Sequence, residues 1–244
     1  MTSEAHLPVS ISRRSVLAVA GASFVTGAAA TNLTGPVASQ ASASIASTAP
    51  GDAPPDVDLM EEHGVLNRIL LVYQEATRRI GTGNAVPIAE INESALIVHD
   101  FIEGFHEALE EGYIFPALKR SKGLGPTVDT LSVQHARGRN ITQFLLRQPT
   151  AVTSSLNPTR IATALSAFVE MFAPHEARED TVIFPAFRSM HSQEFLQELG
   201  ATFADLQRKQ FGRGAFGSYV DKVAAIEKSL GIYDLSQFTA AQVN

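Results

Sequence analysis

Hydrophobic residues recur along the chain with the spacing of an α-helix, not with the alternation of a β-strand. Four long segments, at about residues 55–79, 88–120, 127–147 and 159–190, carry apolar side chains three or four positions apart. Leu59, Leu66, Leu70 and Tyr73 form the first of these stripes. Two shorter amphipathic segments follow at about 192–209 and 216–230. The pattern predicts an all-α protein, an up-down four-helix bundle with additional C-terminal helices.

The N-terminal region lacks this pattern and has the layout of an export signal. Arg13 and Arg14 precede a mildly apolar run at 16–30 that ends in small residues, as in a signal peptide. The run is too short and too weakly apolar for a stable membrane span. The sequence SRRSVL at 12–17 resembles the twin-arginine export signal. This resemblance implies that the twin-arginine machinery reads residues 10–30 and delivers a folded protein to the periplasm or another extracytoplasmic space.

Composition divides the rest of the chain. We expect cleavage of the signal at 1–30 after Ala30, with Ala43 as the alternative, and a flexible leader rich in Ala, Ser and Pro at 31–55. The four-helix domain is expected at 56–190, followed by a helical extension at 191–244 for which the sequence predicts no function. The oligomeric state is left open.

Charge and cysteine content exclude several kinds of site. Without residues 1–30, which hold two arginines and one glutamate, 17 basic residues face 24 acidic ones, a net charge of −7. This balance disfavours nucleic acid as a partner. The chain has no cysteine, so disulfides and thiolate metal ligands are excluded. Any bound metal therefore needs imidazole and carboxylate ligands.

Histidines stand where a helical core normally has apolar residues. Five of the seven, His63, His99, His106, His135 and His175, fall on the predicted inward stripes. A buried polar group without a partner costs about 1–3 kcal/mol. Something must therefore compensate the histidines of all four helices at once.

A repeated phrase indicates what compensates them. Residues 106–118 read HEALEEGYIFPAL and residues 175–187 read HEAREDTVIFPAF, identical at eight of thirteen positions. The histidine and the glutamate four positions later lie on one helix face, about 6 Å apart along the axis, so each pair can hold one cation. One further histidine on each of the other two helices completes a site for two metal ions bridged by carboxylates. The candidate ligands are His63, His106, Glu110, His135, His175 and Glu179.

These motifs resemble the hemerythrin-like domain over about residues 58–187. The resemblance implies two non-haem iron ions, with manganese as the alternative, and an open position that takes dioxygen, nitric oxide, peroxide or a small anion. Oxygen-carrying hemerythrins have a second histidine four positions from the one on the third helix, whereas Leu131 and Arg139 flank His135 here. Their last carboxylate matches Asp180, although helix phase favours Glu179.

Other interpretations compete with this one. A di-iron oxidase or peroxidase could use the same open position, and a metal-free interaction bundle could pair the histidines with one another. Glu103 and His106 also match the Glu-x-x-His motif of ferritin-like proteins, but Phe172 and Ser132 occupy the corresponding positions before the other histidines.

Several residues near the candidate ligands have no assigned metal role. His99 is expected to be a hydrogen-bonded core histidine, and Tyr113 an ordinary core residue or part of a small-molecule pocket. Arg139 either extends to solvent or orients a carboxylate, and Glu103 is expected to face solvent.

Overall fold

A computed structural model describes residues 54–121 and 123–242. The described residues contain helices and no strand. The predicted signal at 1–30 and nearly all of the predicted leader at 31–55 lie outside the described residues. None of the helices in the described ranges has the length and apolar character needed to cross a membrane.

Within the described ranges, six helices follow one another. Helix α1 is Pro55–Gly81, α2 covers 88–119, α3 is Gly125–Leu146, α4 covers 158–189, α5 is Gln193–Phe211 and α6 is Ala215–Leu230. A short 3₁₀ turn, Leu235–Phe238, follows α6. The observed boundaries lie within two residues of the predicted ones. The prediction of an all-α bundle with extra C-terminal helices is confirmed.

Helices α2 and α4 are not uniform α-helices. Helix α2 consists of Ile88–Ile97, a π-helical Val98–His106, Glu107–Leu109, a second π-helical segment Glu110–Ile114, and Phe115–Lys119. Helix α4 consists of Pro158–Arg178, a π-helical Glu179–Ile183 and Phe184–Ser189. Each copy of the repeated phrase therefore contains one π-helical turn, at the same place in the phrase.

A proline explains each of these two π turns. Pro116 and Pro185 have no amide hydrogen, and their rings crowd the carbonyl group four residues back. The helix widens just before each proline, where the amide of Phe115 donates to the carbonyl of Glu110 and that of Phe184 to the carbonyl of Glu179. These bonds span five residues instead of four. Each candidate carboxylate thus begins a widened turn.

The C-terminal helices are part of the same hydrophobic core. Helix α1 packs along α4 and also contacts α5 and α6, while α3 packs on α4. The Arg68 guanidinium on α1 donates to both carboxylate oxygens of Glu227 on α6, and Arg79 donates to the carbonyl of Leu230 at 2.6 Å. Phe203 of α5 and Val223 of α6 belong to the buried core.

The predictions for His99 and Glu103 are wrong. The His99 side chain is 45% exposed and bonds to Asp100 at 2.8 Å, whereas Glu103 is only 7% exposed. Both lie in the π-helical Val98–His106 segment. Each turn there takes up an extra residue, so the face expected from regular α-helical spacing is rotated.

Gly138 allows α3 to approach α4 beside the histidines. A Cβ atom at this position would lie 2.7 Å from two ring atoms of Phe172. That ring has little freedom to move, because it is 1% exposed and packs on Phe168 and His175 with centroid distances of 4.3 and 5.2 Å.

We therefore expect Gly138→Ala to lower the free energy of unfolding by about 1–3 kcal/mol, the cost of overpacking a core. Gly64→Ala is the control, because a Cβ there meets nothing within 4 Å. In that helix interior, alanine should stabilise by about 0.5–1 kcal/mol. Urea unfolding measures both changes. Equal effects of the two substitutions would contradict the close helix contact.

Candidate metal centre

Four imidazole rings meet inside the bundle, one from each of α1 to α4. His63, His106, His135 and His175 are all buried. The Nε2 atoms of His63 and His106 lie 3.1 Å apart, and those of His135 and His175 also lie 3.1 Å apart. The rings thus form two pairs, one on α1 and α2 and the other on α3 and α4.

The outer nitrogen of every ring has an acceptor on another helix. The Nδ1 atoms lie 2.8–3.0 Å from side-chain oxygens, in the pairs His63 with Asp180, His106 with Glu62, His135 with Glu111 and His175 with Gln134. In the neutral tautomer that such partners favour, the proton is on Nδ1 and the lone pair of each Nε2 faces the centre. Two such lone pairs 3.1 Å apart repel each other unless a proton or a metal ion lies between them. Burial lowers the pKa of His63, but contacts with Asp180 and Glu179 outweigh it and raise the pKa to about 10.

The outer contacts repeat in the two halves of the bundle. Glu62 precedes His63 on α1 and accepts from His106 on α2. In the same way, Gln134 precedes His135 on α3 and accepts from His175 on α4. Glu111 follows the candidate ligand Glu110 and accepts from His135 on α3. Asp180 follows Glu179 and accepts from His63 on α1.

The phenylalanines of the repeated phrase also contact histidines of other helices. Phe115 of α2 stacks on His135 of α3 with a centroid distance of 5.3 Å, and Phe184 of α4 stacks on His63 of α1 at 5.6 Å. The repeat therefore supplies, in each half, a histidine, a central carboxylate, an outer acid and an aromatic support.

Glu110 and Glu179 connect the two pairs of rings. Glu110 places Oε1 3.6 Å from Nε2 of His106 and Oε2 3.5 Å from Nε2 of His135. Glu179 places Oε2 3.1 Å from Nε2 of His175 and 3.4 Å from Nε2 of His63. Each carboxylate thus reaches both halves.

The central carboxylates lack ordinary compensation for their burial. Both are fully buried, and their four oxygens have no conventional hydrogen-bond partner in the described part of the chain. Burial, and then the neighbouring Glu179, raise the pKa of Glu110 far above its usual value. For Glu179 burial acts in the same direction, but contacts with the histidines of α4 and α1 outweigh it and lower the pKa.

More acidic groups surround the centre. Burial raises the pKa of Glu62, Glu107 and Glu176 to about 8 each. Arg139 places a positive charge beside these acids, since it lies 2.7 Å from carboxylate oxygens of both Glu107 and Glu111. Arg139 therefore orients the acid that holds the α3 histidine, one of the two roles that the sequence had left open.

The donor atoms fit a pair of divalent cations. Two nitrogens bound side by side to one cation at about 2.1 Å lie roughly 3.0 Å apart at a right angle, close to both observed pairs. Three three-residue groups in the described part of the chain have donor atoms close enough together for one ion each. Two of them lie at the centre: His63, His106 and Glu110, and His135, His175 and Glu179. The third, on the outer side of the α3 histidine, is Glu107, Glu111 and His135. Mixed imidazole and carboxylate donors suit first-row ions such as iron and manganese.

The structure brings all six predicted site residues together. Asp180, the alternative last carboxylate, lies outside the centre, 29% exposed, and holds the His63 ring. Tyr113 packs on Phe203 with a centroid distance of 5.2 Å. Sequence reasoning missed Glu62 and Gln134. The signal that could have found them is a polar residue directly before each single histidine.

The comparison with known proteins agrees with this geometry. The family model of the hemerythrin HHE cation-binding domain matches residues 55–186, with a second match at 127–208. The chain belongs to the hemerythrin HHE cation-binding family. This HHE protein is 49% identical over 184 residues to the uncharacterized proteins Rv1995 of Mycobacterium tuberculosis and Mb2018 of Mycobacterium bovis, covering 75% of its own length and 72% of theirs.

No solved structure matches this chain. The HHE domain indicates a metal-binding helical protein, and the histidine and glutamate cluster fits a metal site.

Proposed function

We propose that this HHE protein is an exported, non-haem di-iron protein that binds dioxygen, nitric oxide, peroxide or a small anion for carriage, sensing or scavenging. The observation that supports this most directly is the pair of buried carboxylates that each approach both imidazole pairs. One ion would be held by His63 and His106 and the other by His135 and His175, with Glu110 and Glu179 bridging. Iron fits these donors, and manganese is the alternative.

The surroundings of the α3 histidine support an open coordination position. Leu131, one turn before His135, is a buried apolar residue, and Arg139, one turn after it, is engaged by two acids. Neither supplies a further ligand. Each half therefore offers two imidazoles and shared carboxylate oxygens, which leaves room in the coordination shell of an ion that accepts up to six donors.

The size of the site favours a very small ligand. No free volume large enough for a water molecule remains among the side chains of the centre. Phe115, Phe172 and Phe184 pack directly on the rings. Any ligand must therefore displace a carboxylate oxygen or move a side chain, which suits a diatomic molecule, peroxide or a small anion better than an organic substrate.

Export in the folded state agrees with how the centre is built. Its six candidate ligands come from four helices and meet only after folding, so metal loading and folding belong together. The twin-arginine resemblance at 12–17 implies transport after both steps. We therefore place the protein in the periplasm or another extracytoplasmic space.

Ligand binding is tested with iron(II)-loaded protein and nitric oxide, followed by visible absorption. We expect a new absorption band that His106→Ala His175→Ala abolishes, because the two substitutions remove one imidazole ligand from each half-site. His99→Ala is the matched control, since it removes an exposed histidine from the same helix as His106. A spectrum that nitric oxide leaves unchanged would contradict the open iron position.

Export is tested by cell fractionation of an Arg13→Lys Arg14→Lys variant. Lysine keeps the charge but not the guanidinium geometry of arginine, so we expect a variant without the arginine pair to stay in the cytoplasm. Arg147→Lys Arg160→Lys, at two exposed positions, is the control and should be exported normally. Equal distribution of the first variant and the unaltered protein would rule out this route.

A further inference from the structure

A cavity of about 480 Å³ lies next to the metal centre and separate from it. It opens between the N-terminal part of α1, the middle of α2, the end of α5 and the beginning of α6. Volumes of about 300–1,000 Å³ are typical of sites for organic molecules. Its apolar walls are Leu59, Phe105, Leu109, Phe203 and Phe216.

One wall of this cavity is part of the outer layer of the centre. Glu62 is 2% exposed, and its Oε2 accepts the Nδ1 hydrogen of His106 at 2.9 Å. Its Oε1 accepts from Nε2 of Gln207 on α5 at 3.0 Å. A molecule in the cavity therefore meets a chain of two hydrogen bonds that ends at a candidate metal ligand.

The polar groups of the cavity select the kind of molecule. Asp58, Glu61 and Glu62 present carboxylates from α1, and Gln207 has its carbonyl oxygen left as an acceptor because its amide group donates to Glu62. Both Glu62 oxygens already accept hydrogen bonds, from His106 and Gln207. The carboxylates of Asp58 and Glu61 and the carbonyl oxygen of Gln207 still need donors, and the two carboxylates disfavour anions.

Two arginines also line the cavity, and neither reverses this preference. Arg208 is paired with Asp205, and Arg213 is exposed. The carboxylates of the cavity thus outnumber Arg213. The ligand that best matches the carboxylates and the phenylalanines is an ammonium group attached to an aromatic ring.

We propose that this cavity binds a small aryl-alkyl amine, with its ring among the phenylalanines and its ammonium group against the carboxylates of α1. Binding changes the Glu62 contact and thereby the environment of His106. The effect on His106 rests on the proposed function, whereas the binding of the amine does not.

Isothermal titration calorimetry with 2-phenylethylamine, 2-phenylethanol and 3-phenylpropanoate tests the binding, using the full chain before and after metal removal. We expect the amine to bind at least about tenfold more tightly than the acid in both forms, because charge complementarity determines the preference. Absence of heat with all three compounds, or equal affinity for amine and acid, would overturn the proposal.

A filled cavity provides the matched control. Ala204 lines the cavity on α5, whereas Ala201 is exposed one turn earlier and does not. Ala204→Trp should weaken amine binding by about tenfold or more and Ala201→Trp by less than about twofold. Equal affinity in both variants would place the amine elsewhere and refute the assignment.

The effect of the bound amine on the metal centre is measured separately. The amine should shift the visible absorption of iron-loaded protein, measured per bound iron. Ala204→Trp should remove this shift, whereas Ala201→Trp should keep it. Binding with no spectral shift would overturn the coupling alone. Protein that holds no iron but still binds the amine would contradict the proposed function and leave the cavity assignment standing.

Discussion

Positive charge at the centre of the bundle is what its buried polar groups require. Four imidazole nitrogens direct lone pairs inward, two pairs of them 3.1 Å apart, and two glutamates lie among them without conventional partners. Burying an ionised carboxylate alone costs several kcal/mol. Protons on Glu110 and His63 compensate part of this arrangement, since the pKa values of both groups are raised. Two divalent cations would satisfy the inward atoms together, and metal binding would then be linked to folding.

The rest of the fold serves to place these groups. The two prolines of the repeated phrase widen the helices where the central glutamates lie, and Gly138 lets α3 come close to α4. The outer acids and amides hold each ring from another helix, so no ring turns without breaking a contact between helices. Gln207 extends this support into the C-terminal helices, which makes the extension part of the centre's surroundings.

Local spacing explains what could be predicted from the sequence. The i, i+4 pairs and the single histidines lie on regular helical stripes, so the six central residues and the all-α fold follow from periodicity and the repeat. His99 and Glu103 were misplaced because a π-helical segment changes the phase without a distinct residue signal. The partnership of Glu62 with His106 depends on contacts between helices, as does the cavity beside α5, and neither is encoded in local spacing.

The most direct measurement is the metal content per chain of the purified protein, determined by elemental mass spectrometry beside a His106→Ala His175→Ala variant. The dinuclear interpretation predicts about two iron ions per chain in the unaltered protein and loss of both in the variant, which has one ligand fewer in each half. A His99→Ala His191→Ala variant, altered at two histidines outside the centre, should keep both ions. An unaltered protein that contains no metal after expression with iron would contradict the interpretation.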